Sequence, residues 1–398
     1  IMRVFAAWTG ERWEVAPGGL GATVAPAEAR PPLGFGKDVW VLADDAEGPT
    51  ESARSVLADR LATGHLRRTG RDLLSRVADE VFWLGRNAER AESTLRLLNV
   101  CLRRYLAGNR IDADPEILAD LVSVQAADRP DFPAPRRFRE AVRALIGDGD
   151  EPFGLPATLS ALRSGAVRAR MSISDEGWRE IDRLCSDPRW RHGLDLRQSA
   201  EIARLIEDAL RHLAAFAGAA QENLTRNYAW RFLEMGRRIE RGTDIARVAG
   251  RLAGRQGANE ESVLRAWLTL SDSSSAYRAR YMMVPRAAAV FDLLVLDEAN
   301  PRALAFQLAR LEQVLGELPA DGPYRRPEHR KALALLTELR LLDADQLAEP
   351  DEDGRRARLA DLAARTRAEL SEVSNLVTRA FFAHSEAPVA LVSQGRAR

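Results

Sequence analysis

The sequence predicts an all-α protein, a multi-helix bundle built from two related halves, with a short N-terminal β hairpin. From Leu74 onward, apolar residues recur in steps of three and four, which is the period of an amphipathic helix. A Gly-Arg-x-x-Glu-Arg motif occurs twice, 151 residues apart. Strand-like apolar runs broken by glycine and proline are confined to residues 3–42. These observations together predict a helical body behind a small β segment.

The N-terminal segment has the pattern of a hairpin or of a sheet edge. Val4, Ala6 and Trp8 alternate within a short apolar run, Pro17-Gly18-Gly19 breaks the chain, and Val39–Leu42 forms another apolar run. A segment of this size is too small to be stable alone. The first residue is Ile1, which fits a fragment of a longer protein, although an unusual start codon would also explain it.

The rest of the chain is predicted to be helical. After the stripe that runs from Leu74 to Leu102, helical patterns cover residues 156–173, 176–186, 196–252, 261–298, 302–317, 328–343 and 353–383. We expect Pro285 to kink or split the segment that contains it. The predicted divisions of the chain are a β segment (1–45), a linker (46–72), a helical domain (73–385) with halves of about 73–215 and 216–385, and a tail (386–398).

Composition argues against several classes of function. The 58 basic and 58 acidic residues cancel, so neither nucleic acid nor an acidic membrane is expected as a partner. The isolated cysteines Cys101 and Cys185 form neither a disulfide framework nor a zinc site, which favours a cytoplasmic location. The five histidines lack metal-ligand spacing, and the longest apolar run, 287–296, is too short to span a bilayer. We therefore expect no metal site and no cofactor bound by this chain itself.

The repeated motif places charge inside an apolar helix face. The charged residues of its two copies are Arg86, Glu89, Arg90, Arg237, Glu240 and Arg241. At about 100° per residue, the three charges of each copy fall on one side of a helix. Phe82 lies in line with the first triad one turn before it, and Leu97 lies in line with it about two turns after it. Large apolar residues are not expected in line with a solvated face, so both triads are predicted to be partly buried against another helix or a cleft.

Two interpretations of these triads remain open. Arginine presents a planar fork of donors that matches a carboxylate or a phosphate, so the motif can form an anion site in which glutamate holds one arginine and leaves the other free. Alternatively, the charges form a buried Glu–Arg network that joins the two halves without any ligand.

A further cluster contains the candidate residues Tyr277, Arg278, Arg280 and Tyr281. On a helix, Tyr277, Arg280 and Tyr281 share one face, where they can line a polar pocket or stack in a packing seam. Packing is the favoured interpretation. The neighbouring serines lack a nucleophile elbow and a partner histidine, so no catalytic residue is assigned and enzymatic activity remains an open question.

The motifs and their flanks resemble the alpha-E family, a helical domain named for its Glu-Arg motif. The resemblance covers roughly residues 73–385 and rests on four motifs that occur in the family's order. They are Phe82-Trp83-Leu84-Gly85-Arg86-x-x-Glu89-Arg90-Ala91, Trp230-x-Phe232-Leu233-x-Met235-Gly236-Arg237-x-x-Glu240-Arg241, Tyr277-Arg278-x-Arg280-Tyr281 and Asn300-Pro301-Arg302. The chain departs from the family at residues 162–167, where Leu-Arg-Ser-Gly-Ala-Val replaces an expected segment similar to Ala-Arg-Glu-Asn-Ala-Arg.

The first residues resemble the C-terminal end of circularly permuted ATP-grasp proteins. This resemblance rests on Arg3-x-Phe5, Val15-x-Pro17-Gly18-Gly19-Leu20 and Lys37-Asp38-x-Trp40-Val41-Leu42. It implies that residues 1–45 are the remnant of such a domain. It also implies a circularly permuted ATP-grasp ligase, fused or separate, as the partner. ATP and Mg²⁺ are then expected only in the missing or partner ATP-grasp domain.

ATP-grasp ligases activate a carboxylate as an acyl phosphate, which an amine then attacks. The resemblance therefore implies an accessory or substrate-handling domain of a system that forms amide or peptide bonds, binding an anionic group of a peptide or carboxylate substrate through arginines. One alternative is an independent helical enzyme that acts on the ligase's peptide substrate or product. Another is a purely structural interaction domain.

Overall fold

The computed structural model describes residues 2–8, 12–21, 37–40, 75–106, 154–190, 199–253, 260–319 and 323–382. The expected linker 46–72 and the expected tail 386–398 lie outside these ranges. The chain divides into two compact units, Ile1–Arg68 and Thr69–Arg398.

The first unit contains a three-stranded antiparallel sheet in the order β1-β2-β3. Its strands are β1 Met2–Trp8, β2 Trp13–Gly21 and β3 Lys37–Trp40. Trp8 and Trp13 pair across the first two strands, with ring centroids 5.8 Å apart, and both side chains are exposed. The interpretation of this sheet as the remnant of a larger domain stays a prediction.

Every element described between residues 75 and 382 is helical, so the all-α prediction is confirmed for this region. The helices are α1 Ser75–Leu106, α2 Leu155–Arg168, α3 Asp175–Ser186, α4 Ser199–Glu222, α5 Tyr228–Ala253, α6 Glu260–Leu270, α7 Ser274–Tyr281, α8 Ala287–Phe291, α9 Leu304–Gly316, α10 Pro327–Arg340, α11 Ala344–Ala348 and α12 Ala357–Val377. Short 3₁₀ turns follow α2 and α3, and π-helical segments extend α8 to Leu296 and α12 to Phe382. None of the described helices is long and apolar enough to cross a membrane.

Helix α5 forms the centre of the second unit. It packs against α1, α9 and α12, while α1 also packs against α2 and α4. All residues from 232 to 240 are buried, although four of them carry charge. A helix buried on all sides must satisfy its charges internally, because it exposes no polar face to water. The fold therefore requires partners for the charges of the second motif.

Two predicted segments contain breaks that their apolar periodicity did not reveal. The segment 196–252 was expected to be continuous, but it forms α4 and α5 on either side of residues 223–227. Asn227 ends the break, because its Oδ1 accepts a hydrogen bond from Trp230 N at 3.1 Å and caps α5. The segment 261–298 is split near Pro285, as expected, and also at Asp272, whose φ of 51° is left-handed. The short helix α11 was not predicted.

Candidate functional site

Helices α1 and α5 cross at the glycines of the two motifs. A Cβ atom on Gly85 would lie 2.3 Å from the carbonyl oxygen of Leu233, and one on Gly236 would lie 2.1 Å from that of Phe82. Real Cβ atoms do not approach backbone this closely, so both positions accept only hydrogen. The two backbones are therefore in direct contact, which brings the neighbouring motif side chains together.

Each motif glutamate binds both motif arginines of the opposite helix. Glu240 accepts hydrogen bonds from Nε of Arg86 at 2.7 Å and from Nε of Arg90 at 2.8 Å. In the same way, Glu89 accepts from Nε of Arg237 at 2.8 Å and from Nε of Arg241 at 2.7 Å. The contacts are thus reciprocal.

Both motif glutamates are buried at the crossing. The side chains of Glu89 and Glu240 are only 4% and 1% exposed. The prediction that the triads are partly buried against another helix or a cleft is therefore confirmed, and the other helix is the one that carries the second motif. Sequence reasoning placed the triads on the correct face. The anion-site interpretation has each glutamate hold an arginine beside it, whereas the observed arginines come from the other helix, as in the interpretation of a buried Glu–Arg network.

Glu240 and Arg241 have shifted pKa values that keep them ionised at neutral pH. Burial alone would raise the pKa of Glu240, but the charges of Arg86 and Arg90 outweigh it and lower that pKa to about 2. Burial would likewise lower the pKa of Arg241, yet Glu89 and Glu92 raise it above the ordinary arginine value. These two groups therefore contribute to the crossing as charged groups at neutral pH.

Two uncharged side chains connect the network to other helices. Nη1 of Arg86 donates to Oγ of Ser374 on α12 at 3.0 Å. On α5, Arg238 donates from Nε to Glu234 and from Nη1 to Oε1 of Gln307 on α9, at 3.0 and 2.7 Å. Sequence reasoning missed Ser374 and Gln307, because neither belongs to a repeat or a charged motif. Their positions on the buried faces of helices are the one sequence feature that could have indicated Ser374 and Gln307.

A cavity of about 80 Å³ lies beside the crossing, on the side of the C-terminal halves of α1 and α5. Its apolar wall consists of Leu97, Ile245, Val248, Trp267 and Leu270. Its charged wall consists of Glu89, Glu92, Arg96, Arg241, Asp244, Arg247 and Arg302. Ser93 and Ser271 complete the lining. Of the four motif arginines, Arg241 lines this cavity.

The tyrosine–arginine cluster lies outside the lining of that cavity and has the geometry of a packing seam. Tyr277 is buried; its hydroxyl donates to the carbonyl of Val284 and accepts from the backbone N–H of Arg286, both at 3.2 Å. The ring centroids of Tyr277 and Tyr281 lie 4.9 Å apart. These contacts fix α7 to the segment before α8.

The polar edge of the same cluster faces outward. The hydroxyl of Tyr281 donates to Asp292, and burial together with this carboxylate raises the pKa of Tyr281. Arg280 donates to Oδ2 of Asp297 at 2.6 Å, and the exposed Arg278 donates to Oγ of Ser275 at 3.2 Å. The cluster therefore satisfies its own polar groups.

Across the described ranges, no group of three or more histidine, cysteine, aspartate or glutamate side chains is arranged to hold a metal ion. Neither Cys101 nor Cys185 forms a disulfide, and burial raises the pKa of Cys185 to about 12.

Comparison with curated proteins finds mycobacterial relatives of greater length. The chain is 32% identical over 410 residues to the uncharacterized proteins Rv2567 and MT2643 of Mycobacterium tuberculosis and Mb2597 of Mycobacterium bovis. The matched region covers 95% of this chain and 45% of each relative, so the chain spans less than half of their length. No solved structure matches the chain.

The Alpha-E family, described as a predicted alpha-helical domain with a conserved ER motif, matches residues 73–382. This match includes both crossed motifs, the tyrosine–arginine cluster and the cavity. It covers well over half of the chain, and the Glu-Arg pairs that give the family its name form the crossing of α1 and α5. The chain therefore belongs to the Alpha-E family.

Proposed function

We propose that this chain is an accessory, substrate-handling helical domain of an ATP-grasp-linked system that forms amide or peptide bonds. The observation that carries the proposal is the locked crossing of α1 and α5 beside an arginine-lined cavity, which supplies a rigid site for an anionic group. Two further facts support it. Residues 1–45 resemble the end of a circularly permuted ATP-grasp protein, and more than half of each mycobacterial relative lies outside the matched region, which leaves room for a ligase.

We also infer that the helical domain consists of two related halves. Their boundary lies at residues 223–227, between α4 and α5, because the expected boundary near residue 215 falls inside α4. The helices α1, α2, α3 and α4 are followed in the same order, at nearly the motif offset, by α5, α9, α10 and α12. The contacts of α1 with α2 and α4, and of α3 with α4, have counterparts in those of α5 with α9 and α12, and of α10 with α12. The reciprocal ion pairs are what an approximate two-fold relation between such halves would produce.

The motif arginines have a structural role in this proposal. All four direct Nε at a buried carboxylate, so ligand binding has to use the remaining guanidinium nitrogens. Arg90 is the most exposed of the four, with a third of its side chain accessible. Binding of an anionic group by the motif arginines stays a prediction, and the same contacts equally support the alternative of a purely structural interaction domain.

The test is reconstitution with the circularly permuted ATP-grasp ligase proposed as the partner. ADP formation is measured with ATP, Mg²⁺, a carboxylate and an amine, with and without the 398-residue chain. We expect the chain to bind the ligase and to raise carboxylate-dependent turnover. A complex without any change in turnover would support the purely structural alternative. Cleavage of the ligase product by the chain alone would support an independent enzyme. If the chain neither forms a complex with the ligase nor changes its turnover, every ligase-linked interpretation is contradicted.

A further inference from the structure

The cavity beside the crossing has two chemically different walls. Its lining includes the apolar residues Val248, Trp267 and Leu270 together with arginines from α1, α5 and the segment before α9. At about 80 Å³, the cavity has room for roughly five to eight water-sized groups. A ligand of this size that matches both walls is amphipathic, with one charged end and one apolar end.

The charged wall contains more positive than negative charge around Glu92. This single carboxylate accepts from Nε of Arg96 at 2.8 Å and from Nη2 of Arg241 at 3.1 Å, and it lies 2.8 Å from Nη1 of Arg302. Arg241 also donates to Glu89, and Glu89 accepts a second hydrogen bond from Arg237. Arg96 also lies 3.8 Å from the exposed carboxylate of Asp272. Three guanidiniums therefore contact the one buried carboxylate of Glu92, and Arg241 and Arg96 each have a second acidic partner.

The electrostatics of Arg302 reflect that excess. Burial, followed by the charge of Arg241, lowers the pKa of Arg302 even though Glu92 lies beside it. An additional anion would offset this repulsion and would use guanidinium donors that a single carboxylate cannot saturate.

Arg302 is held in position independently of any ligand. Oδ1 of Asn300 accepts from the backbone N–H of Arg302 at 3.0 Å, and Nδ2 of Asn300 donates to the carbonyl of Leu293 at 2.9 Å. Nε2 of Gln307 donates to the carbonyl of Pro301 at 2.8 Å. The Asn-Pro-Arg turn is thereby fixed on both sides, which lowers the entropy that a ligand contact would cost.

We propose that this cavity binds a small amphipathic carboxylate. The carboxylate lies beside Arg96 and Arg302, and the apolar end lies against Trp267, Leu270 and Val248. The inference deepens the proposed substrate-handling function and rests on it for the source of the carboxylate. It assigns that handling to Arg96 and Arg302, which do not belong to the Glu-Arg motif.

Binding is tested on the full 398-residue chain by ligand-observed NMR titration. The probes are 4-methylpentanoate, its neutral isostere 4-methylpentanamide, and inorganic phosphate. We expect the carboxylate to bind at least tenfold more tightly than the amide, and more tightly than phosphate. Arg302→Met is expected to abolish the preference for the carboxylate over the amide. The control Arg211→Met, which removes an exposed arginine paired with Asp208 on α4, is expected to preserve it.

A second variant keeps the proposal testable if Arg302→Met does not fold. Val248→Phe fills part of the cavity with a larger apolar side chain and changes no charge, so we expect it to abolish binding of the carboxylate. Circular dichroism checks that the variant keeps its helical fold. Equal binding of carboxylate and amide, binding of neither, equal binding of phosphate, or unchanged carboxylate binding in Val248→Phe would each overturn the proposal. Because no ligase is present, failure here is distinct from failure of the reconstitution experiment.

Discussion

At the scale of single residues, Glu240 is the most buried member of the crossed network and accepts hydrogen bonds from two arginines, Arg86 and Arg90. Glu240→Gln removes the charge but keeps the shape, which leaves Arg86 and Arg90 without their carboxylate. We expect the free energy of unfolding to fall by on the order of 3–5 kcal/mol, the cost of breaking a buried ion pair from one side. Urea denaturation followed by circular dichroism measures this change.

The matched control for Glu240→Gln is Glu207→Gln, which breaks the exposed pair between Arg103 and Glu207. It is expected to change stability by less than about 1 kcal/mol. Because the contacts are reciprocal, Glu89→Gln should resemble Glu240→Gln. Equal effects of Glu240→Gln and Glu207→Gln would show that the crossed pairs do not stabilise the fold.

Asp244 is a buried acid in a less favourable position. Its Oδ2 atom is buried and has no hydrogen-bond donor among the described residues. Burial raises its pKa to about 6, and the charge of Glu240 adds to this, although Arg247 and Arg90 act in the opposite direction. A raised pKa in the folded state means that the folded protein binds this proton more tightly than the unfolded chain does.

The contribution of Asp244 to stability is therefore fully present below its unfolded pKa of roughly 4 and is lost as the pH rises through about 6. Asp244→Asn removes this dependence. We expect the variant to gain stability relative to wild type between pH 4 and pH 7, by up to roughly 3 kcal/mol. Urea denaturation at each pH measures this difference. A difference that is independent of pH would show that Asp244 titrates normally.

At the scale of elements, the crossing of α1 and α5 depends on Gly85 and Gly236, two positions with no room for a side chain. Gly85→Ala and Gly236→Ala each place a methyl group against backbone of the other helix, which cannot move aside as a side chain can. We expect each substitution to separate the helices and to destabilise the fold by more than about 3 kcal/mol, since the ion pairs also lengthen. Thermal unfolding monitored by circular dichroism checks this.

The control for the crossing glycines is Gly218→Ala in α4, where nothing lies within 4 Å of the added methyl group. Gly218→Ala should stabilise the protein by roughly 0.5–1 kcal/mol, because alanine has the higher helix propensity. Tolerance of Gly85→Ala would mean that the helices do not need this close approach.

The helices differ in how well the sequence predicts them. Apolar periodicity locates α2, α3, α9 and α10 closely, because each is a single amphipathic stretch. It fails at the α4–α5 junction, since that break depends on the Asn227 cap and the apolar period resumes directly after it. The face of the motif charges was predictable from the period alone. The pairing of each glutamate with the opposite helix was not, because it depends on which helices cross.

At the scale of the whole molecule, the division of the chain leads to a prediction about its parts. The second unit, Thr69–Arg398, contains the helical domain with all of its described ion pairs. We expect a fragment of these residues to unfold at the same temperature as the full chain, and limited proteolysis between residues 43 and 71 to release it intact. A lower melting temperature for the fragment, or protection of residues 43–71 from cleavage, would contradict this.

The reciprocal network also makes the contact surfaces of α1 and α5 equivalent to each other. Each motif helix carries both the acid and the bases that its partner needs, together with the glycine that admits it. Such isologous contacts are those of a two-fold dimer, enclosed here within a single polypeptide. We therefore expect the two helices to recognise each other without the peptide link at residues 223–227. Chains cut at that point and co-expressed as separate halves should copurify as one folded complex, and Glu240→Gln should weaken their association.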